Sequence, residues 1–183
     1  MLATPKSGSE VNGFQEGDHV YAAAFLNPKG GFYAEYAAVK AGLAAQVPDG
    51  LSMEEAGALG VDAVTALRGL RDELELKDGD TLLVFGASGG VGHLAVQLAN
   101  RMGGRILAVA SGSDGVSRVE ELDASEVVDG HGGDLAGALE RLAPEGLDAA
   151  LVTAAGDGLD TAMAGLKEGG RLAWPGGVRP EPK

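Results

Sequence analysis

The chain has 183 residues, enough for one full domain or for one domain and part of a second. Acidic residues outnumber basic ones 27 to 14, and the net charge of -13 disfavours general binding to nucleic acid or to an anionic membrane. Cysteine is absent, which excludes disulfides, zinc–thiolate sites and a thiol nucleophile. No apolar run approaches the ~20 residues of a membrane span and no signal-peptide pattern opens the sequence, so we expect a cytoplasmic protein.

Residues 1–50 predict β-structure. A turn at Glu16-Gly17-Asp18 leads into a strand from His19, and large and small residues then alternate from Phe32 to Val39. A short strand follows and stops at Pro48-Asp49-Gly50. Because hairpins of this size are marginal in water, this part needs a further sheet or another domain to pack on.

A helical period begins at Ser52, a candidate N-cap because Glu55 follows three residues later, as in a capping box. Apolar residues recur at helical spacing as far as Leu74, with a break predicted near Gly60.

Strands and helices then alternate to the end of the chain. The predicted strands are Thr81–Phe85, Arg105–Ala110, Glu126–Val128, Leu147–Val152 and Arg171–Trp174, and the predicted helices are Gly90–Met102, Gly115–Leu122, Leu135–Leu142 and Leu159–Leu166. Five strands separated by four helices indicate an α/β fold with a doubly wound parallel sheet and right-handed crossovers.

The stretch LLVFGASGGVGHLAVQLAN places several glycines between the first of these strands and its helix. In the dinucleotide fingerprint G-x-G-x-x-G/A of Rossmann folds, the glycines allow a tight turn, approach of a pyrophosphate and close helix packing. Ala87, Gly89 and Gly92 occupy the three places, so the first departs from glycine. We predict a pyrophosphate site at the N-terminus of the helix from Gly90. The alternative is a tight turn without a ligand, which the position in a five-strand series disfavours.

The end of the second strand of this series bears on the cofactor. NAD sites usually carry an acidic residue there, whereas this chain has Ala110, Ser111 and Gly112. Small neutral residues leave room for a 2'-phosphate, so the pattern favours NADPH over NADH. Arg118 is the nearest basic residue, although Asp114 lies close to it in sequence.

Six stretches together resemble one family: EGDHVYA, GGFYAEYAAV, VPDGLSMEEAGAL, VTALRGL, GASGGVGHLAVQLA and LKEGGRLA. In this order and spacing the chain resembles the medium-chain dehydrogenase/reductase superfamily, in its zinc-independent quinone oxidoreductase branch. The resemblance implies part of a β-rich, GroES-like catalytic domain over residues 1–51 and a Rossmann domain over 52–183. Members are about twice as long, so we expect a fragment, a truncated product or an incomplete member that lacks the final Rossmann strand.

The resemblance also implies a cofactor site. The glycine loop binds the NADPH pyrophosphate, Thr65 lies near the nicotinamide, and backbone after the fourth and fifth strands lines the same cleft. Relatives often carry a basic residue where this chain has Gly115. The predicted cofactor-binding residues include those at the end of the second strand and Arg118. The full set is Thr65, Ser88, Gly89, Gly90, Val91, Ala110, Ser111, Gly112, Arg118, Ala154, Gly156, Pro175 and Gly176.

Zinc-dependent alcohol dehydrogenases share the superfamily, so a metal is the obvious alternative. Their structural zinc uses four cysteines, and their catalytic zinc uses a Cys or Glu where this chain reads GALGVDAV. Glu54 and Glu55 lie too early to serve, and His19, His93 and His131 have no ligand spacing. We therefore predict no metal site.

In complete relatives, hydride passes from the nicotinamide to a quinone or an activated alkene or carbonyl, so the expected partner is a small molecule. Relatives are typically homodimers. No catalytic dyad is visible, and the catalytic residues stay unknown. Tyr21, Tyr36 and Asp62 are weak candidates; Tyr36 is more typical of a strand core and Asp62 of a helix surface.

Two other functions compete with the reductase. One is a nucleotide-binding module that keeps the glycine loop without turnover. The other is an S-adenosylmethionine methyltransferase, which the hairpin-rich first quarter and the form GASGGVG disfavour.

Overall fold

A computed structural model describes residues 2–3, 8, 11–24 and 31–175. The chain divides into two compact units, residues 1–61 and 62–183, and helix α1 (Met53–Arg68) begins in the first unit and ends in the second. The assignment of residues 1–51 to a partial GroES-like domain and of 52–183 to a Rossmann domain stays a prediction. Across the described residues, no helix combines the length and the apolar character needed to cross a bilayer.

The first unit contains a small antiparallel sheet of three strands, β1 (Leu2–Ala3), β2 (His19–Ala22) and β3 (Ala44–Gln46). Strand β2 lies in the middle, and its Val20 pairs with Gln46 of β3. A 3-10 turn over Ala41–Leu43 precedes β3. The predicted strand from His19 is therefore confirmed.

The strand predicted over Phe32–Val39 is wrong. The structure has bends and irregular backbone there, and Phe32, Tyr33 and Tyr36 are exposed. The described sheet of this unit has the order β1-β2-β3 and does not include this segment. Tyr36, which is 74% exposed, is not a core residue.

The predicted capping box at the start of α1 is present. The Ser52 amide donates to the Glu55 carboxylate at 2.8 Å, and the Glu55 amide donates to the Ser52 hydroxyl at 3.2 Å. The first of these bonds, followed by the interaction with the Ser52 side chain, lowers the pKa of Glu55.

The break predicted near Gly60 is wrong, since α1 continues through that residue. The helix instead widens into a π-helix over Gly69–Glu73. Gly69 packs closely on the sheet: a Cβ atom placed there would lie 3.1 Å from Leu151 Cδ1. A glycine in a helix costs about 1 kcal/mol relative to alanine but does not by itself interrupt the helix.

The second unit is a five-stranded parallel sheet in the order β6-β5-β4-β7-β8 with helices on both faces, so the predicted fold is confirmed. The strands are β4 (Thr81–Phe85), β5 (Arg105–Ala110), β6 (Glu126–Asp129), β7 (Leu147–Val152) and β8 (Leu166–Ala173). The helices are α2 (Gly90–Arg101), α3 (Gly112–Glu120), α4 (Leu135–Leu142) and α5 (Leu159–Ala164).

Two of the predicted boundaries are wrong by several residues. Helix α3 starts at Gly112 and not at Gly115, because Gly115 is buried inside the helix against Ser88. Strand β8 starts at Leu166, where α5 was predicted to end, because Leu166 already pairs with Leu147 across an irregular register.

The central strands are buried on both faces, as parallel sheets require. Alternate residues of β4 enter different clusters: Leu82 and Val84 pack with α2 and α3, and Leu83 and Phe85 pack with α4 and α5. This double covering holds the loops at the carboxyl ends of the strands on a rigid base.

Charged residues connect β4, β7 and β8 near their amino ends. The Thr81 amide donates to the Asp148 carboxylate at 2.8 Å, and Lys167 forms an ion pair with the same side chain. Arg171 pairs with Asp80 at 3.0 Å. Burial raises the pKa of Asp148, but the bonds from Lys167 and Thr81 outweigh it and the net pKa is lowered.

Candidate functional site

The strand order reverses at β4, which has β5 on one side and β7 on the other. The chain moves outwards from β4 through β5 to β6, then crosses back to β7 on the far side of β4. Ligands of open α/β sheets bind in the crevice that such a reversal leaves at the carboxyl ends of the strands. The glycine loop, residues 86–92, lies at this point.

The start of the loop is fixed by both neighbouring strands. The amides of Gly86 and Ala87 donate to the Val109 carbonyl at 3.0 and 2.8 Å. Gly86 has φ +93°, and a Cβ there would lie 2.5 Å from the Thr153 hydroxyl. That hydroxyl in turn lies 3.0 Å from the Phe85 carbonyl. The turn therefore has room only for glycine and cannot move independently of the sheet.

The end of the loop becomes helix α2 without a side-chain cap. A Cβ on Gly92 would lie 2.2 Å from the Gly86 carbonyl oxygen, so the helix packs against the loop backbone more closely than any side chain allows. The first hydrogen bond of the helix runs from the His93 amide to the Gly89 carbonyl. The amides of Gly90, Val91 and Gly92 precede this bond and have no partner among the described residues.

Three such amides at the positive end of a helix are suited to an anion, above all a phosphate. Gly89 and Gly90 are exposed and Val91 is half-buried, so the start of the helix is open to solvent, whereas Gly92 is buried. The arrangement fits the diphosphate bridge of a dinucleotide: the backbone approaches closely, the donors are preformed, and no lysine is required.

The loop after β5 is held against the glycine loop. The Ser111 amide donates to the Ser88 hydroxyl at 3.1 Å. Asp129, at the end of β6, accepts from the amides of Gly112 and His131, each at 3.0 Å, and these two bonds lower the pKa of its carboxyl, that from His131 most. The structure thus brings the carboxyl ends of β4, β5 and β6 together.

Other predicted residues at this edge occupy different environments. Ala110 is buried at the end of β5. Arg118 is exposed, and its Nε donates at 3.1 Å to the carbonyl of Asp114 on its own helix. Gly115, where relatives often carry a basic residue, is buried: a Cβ there would lie 3.0 Å from Ser88 Cβ.

The remaining predicted residues follow β7 and β8 or lie on α1. Ala154 borders the loop, since a Cβ on Gly86 would lie 2.8 Å from its Cβ, and Gly156 faces the Phe85 ring. Pro175 follows β8, whereas Gly176 lies outside the described residues. Thr65 is half-buried on α1.

Two residues that hold the site were missed by the sequence interpretation. Thr153 supports Gly86, and Asp129 holds Gly112. Both are polar and lie where an apolar strand of a parallel sheet ends, and that position is the signal that could have identified them.

The weak catalytic candidates are placed differently. Tyr36 is exposed, whereas Tyr21 lines an apolar cavity of about 470 Å³ in the first unit with Phe32, Met53 and Gly57 among its other walls. Asp62 is half-buried on α1, with its carboxylate against Gly90.

The described residues do not offer a zinc ligand set. The chain has no cysteine, and within the ranges that the structure describes no three His, Asp or Glu side chains approach one another as metal ligands would.

Comparison with known proteins places this geometry in a family. The family described as zinc-binding dehydrogenase matches residues 90–183. Human quinone oxidoreductase is 31% identical over 166 residues, which are 90% of this chain and 50% of the human protein. Tomato (Solanum lycopersicum) 2-methylene-furan-3-one reductase is 42% identical over 115 residues, 60% of this chain and 29% of the relative.

A solved structure agrees with this. The crystal structure of an alcohol dehydrogenase superfamily protein from Novosphingobium aromaticivorans superposes with a TM-score of 0.81 at 35% identity, over 94% of this chain and 53% of that one. The chain thus spans about half the length of these relatives or less. On the fold, the glycine loop and these likenesses, the chain belongs to the zinc-binding dehydrogenase family, as a quinone oxidoreductase-like member of the medium-chain dehydrogenase/reductase superfamily.

Proposed function

We propose that this chain is the nucleotide-binding part of an NADPH-dependent oxidoreductase that transfers hydride to a quinone or to an activated alkene or carbonyl without zinc. The observation that carries the proposal is the group of unpartnered amides of Gly90, Val91 and Gly92, which begins at the exposed Gly90 in a loop where Cβ atoms on Gly86 or Gly92 would clash. Dinucleotide-dependent enzymes use this arrangement for the diphosphate bridge.

The residues of the site divide into three groups in this proposal. Ser88, Gly89 and the amides of Gly90, Val91 and Gly92 hold the diphosphate, and Ser111 and Gly112 border the adenosine ribose. Thr65, Ala154, Gly156 and Pro175 line the nicotinamide end. When bound, the reduced nicotinamide supplies the hydride, and the protein supplies position and charge.

The preference for NADPH over NADH rests on the end of β5. Ala110, Ser111 and Gly112 leave no carboxylate at the position where NAD sites usually hold the ribose hydroxyls. Asp129 lies nearby, but its carboxylate already accepts two backbone amides. Arg118 is the nearest guanidinium on α3 and must leave the Asp114 carbonyl to reach a 2'-phosphate.

The acceptor class is proposed from the named activities of the relatives, a quinone oxidoreductase and a furanone reductase. A quinone needs little acid–base assistance, because the oxygens of the reduced product can take protons from water. No catalytic dyad is evident in the part of the chain that the structure describes, which agrees with this. A homodimer and a cytoplasmic location belong to the same proposal.

Two measurements test the proposal. Quenching of Trp174, the only tryptophan, is expected to give a lower dissociation constant for NADPH than for NADH, and S-adenosylmethionine is expected not to bind. Absorbance at 340 nm then reports oxidation of NADPH on addition of a benzoquinone. Binding without oxidation would instead support a nucleotide-binding module, and tighter binding of NADH would contradict the assignment of NADPH.

A further inference from the structure

Asp62 lies where the proposed diphosphate site begins. A Cβ atom placed on Gly90 would lie 2.0 Å from Asp62 Oδ2 and 3.0 Å from its Cγ, so the carboxylate covers the bare Cα of the first residue of α2. Asp62 is half-buried on α1. Glycine at position 90 therefore leaves space for an acidic side chain of the same protein.

This carboxylate faces the end of a helix that attracts anions. The amides of Gly90, Val91 and Gly92 lie at the same helix end and have no partner among the described residues. Within those residues Asp62 takes part in no ion pair, since the described salt bridges involve other side chains. A diphosphate bound at these amides would thus approach a negative charge that no described cation neutralises.

We propose that Asp62 sets the affinity of the dinucleotide by opposing its diphosphate at the start of α2. The inference rests on the proposed function and adds a residue whose removal strengthens binding. In the free protein the carboxylate gains from the positive helix end. In the complex it must turn away or remain beside a like charge, so binding is weakened and release of the spent cofactor is favoured.

The test is the substitution Asp62→Asn in the full chain, with NADPH binding followed by Trp174 fluorescence. We expect the dissociation constant to fall about fivefold at low ionic strength, and the difference from the wild type to shrink as salt is added. Asp62→Ala is also expected to lower the dissociation constant. Because Asn keeps the shape of the Asp side chain and Ala does not, a similar effect of both substitutions would assign it to the lost charge.

Asp78→Asn is a matched control. Asp78 lies against Gly103 in the same way, with Oδ1 1.9 Å from a Cβ placed there, but at the other end of α2. The substitution Asp78→Asn removes the same charge as Asp62→Asn, and we expect it to leave the affinity for NADPH unchanged. Adenosine 2'-monophosphate, which lacks the diphosphate, is expected to bind the wild type and Asp62→Asn alike.

The outcomes are distinct. If the wild type binds NADPH and Asp62→Asn binds it equally or more weakly, the inference is overturned while the proposed function stands; weaker binding would make Asp62 a ligand. An equal gain for adenosine 2'-monophosphate or for Asp78→Asn would also overturn it, because the effect would then be one of net charge. If neither the wild type nor Asp62→Asn binds NADPH or NADH, the proposed function fails and the inference with it.

Discussion

The amide of Ser111 donates a 3.1 Å hydrogen bond to the hydroxyl of Ser88, and this bond joins the loop after β5 to the glycine loop. In Ser88→Ala the amide loses its acceptor. We expect the dissociation constant of NADPH to rise about fivefold, because a lost hydrogen bond of this kind is worth about 1 kcal/mol. Trp174 fluorescence titration measures the change.

Ser117→Ala is the control for that experiment, since Ser117 is exposed on α3. It is expected to leave the affinity unchanged. Equal affinities of Ser88→Ala and the wild type would show that the two loops keep their positions without this bond.

The contact between Gly92 and the loop backbone predicts a large effect on stability. In Gly92→Ala the new methyl group would lie 2.2 Å from the Gly86 carbonyl oxygen, which cannot rotate away. We expect a loss of about 2 kcal/mol in the free energy of unfolding of the second unit, measured by urea denaturation with Trp174 as probe.

Gly57→Ala is matched to it, because a Cβ at this exposed helical position meets nothing within 4 Å. It is expected not to lower the stability that Trp174 reports. A Gly92→Ala protein as stable as the wild type would mean that helix α2 can move away from the loop.

Asp148 predicts a pH dependence of stability. Because its pKa is lowered in the folded chain, its contribution is present above the ordinary carboxyl pKa and is lost as pH falls through the lowered value. Asp148→Asn is therefore expected to cost about 1 kcal/mol at pH 7 and progressively less in acid. Urea denaturation at several pH values measures this.

Asp157→Asn serves as the control, since Asp157 is exposed in the loop after β7. Its difference from the wild type is expected to stay small at every pH. A stability gap for Asp148→Asn that is equal at pH 7 and in acid would refute the ion pair with Lys167.

The capping box predicts how the pKa of Glu55 responds to a substitution of Ser52. The Ser52 hydroxyl is one of two groups that lower the pKa of Glu55, the Ser52 amide being the larger. Ser52→Ala keeps the amide, so the Glu55 pKa is expected to rise only part of the way to its ordinary value. Carbon-detected NMR of the Glu55 carboxyl follows this, and an unchanged pKa would mean that the hydroxyl contributes nothing.

Much of the second unit could be predicted because its signals are local. Strands such as Leu147–Val152 are mostly apolar, and the glycines after Phe85 have a single structural explanation in that context. The unpartnered amides of Gly90, Val91 and Gly92 could be predicted as well, because the N-cap Gly89 has no side chain that could accept from them.

Other features depended on contacts that a sequence does not display. The early start of β8 is decided by pairing of Leu166 with Leu147, and the strand expected at Phe32–Val39 does not form. The proximity of Asp62 to Gly90 arises from packing of α1 on the loop, and neither residue type indicates it.

An amide NMR titration of the full chain with NADPH tests whether the glycine loop binds the diphosphate. Direct contact with the diphosphate predicts that the resonances of Gly90, Val91 and Gly92 shift most and saturate with the fluorescence dissociation constant. If NADPH binds while these three resonances stay in place, the diphosphate lies elsewhere and the proposed role of the glycine loop is wrong.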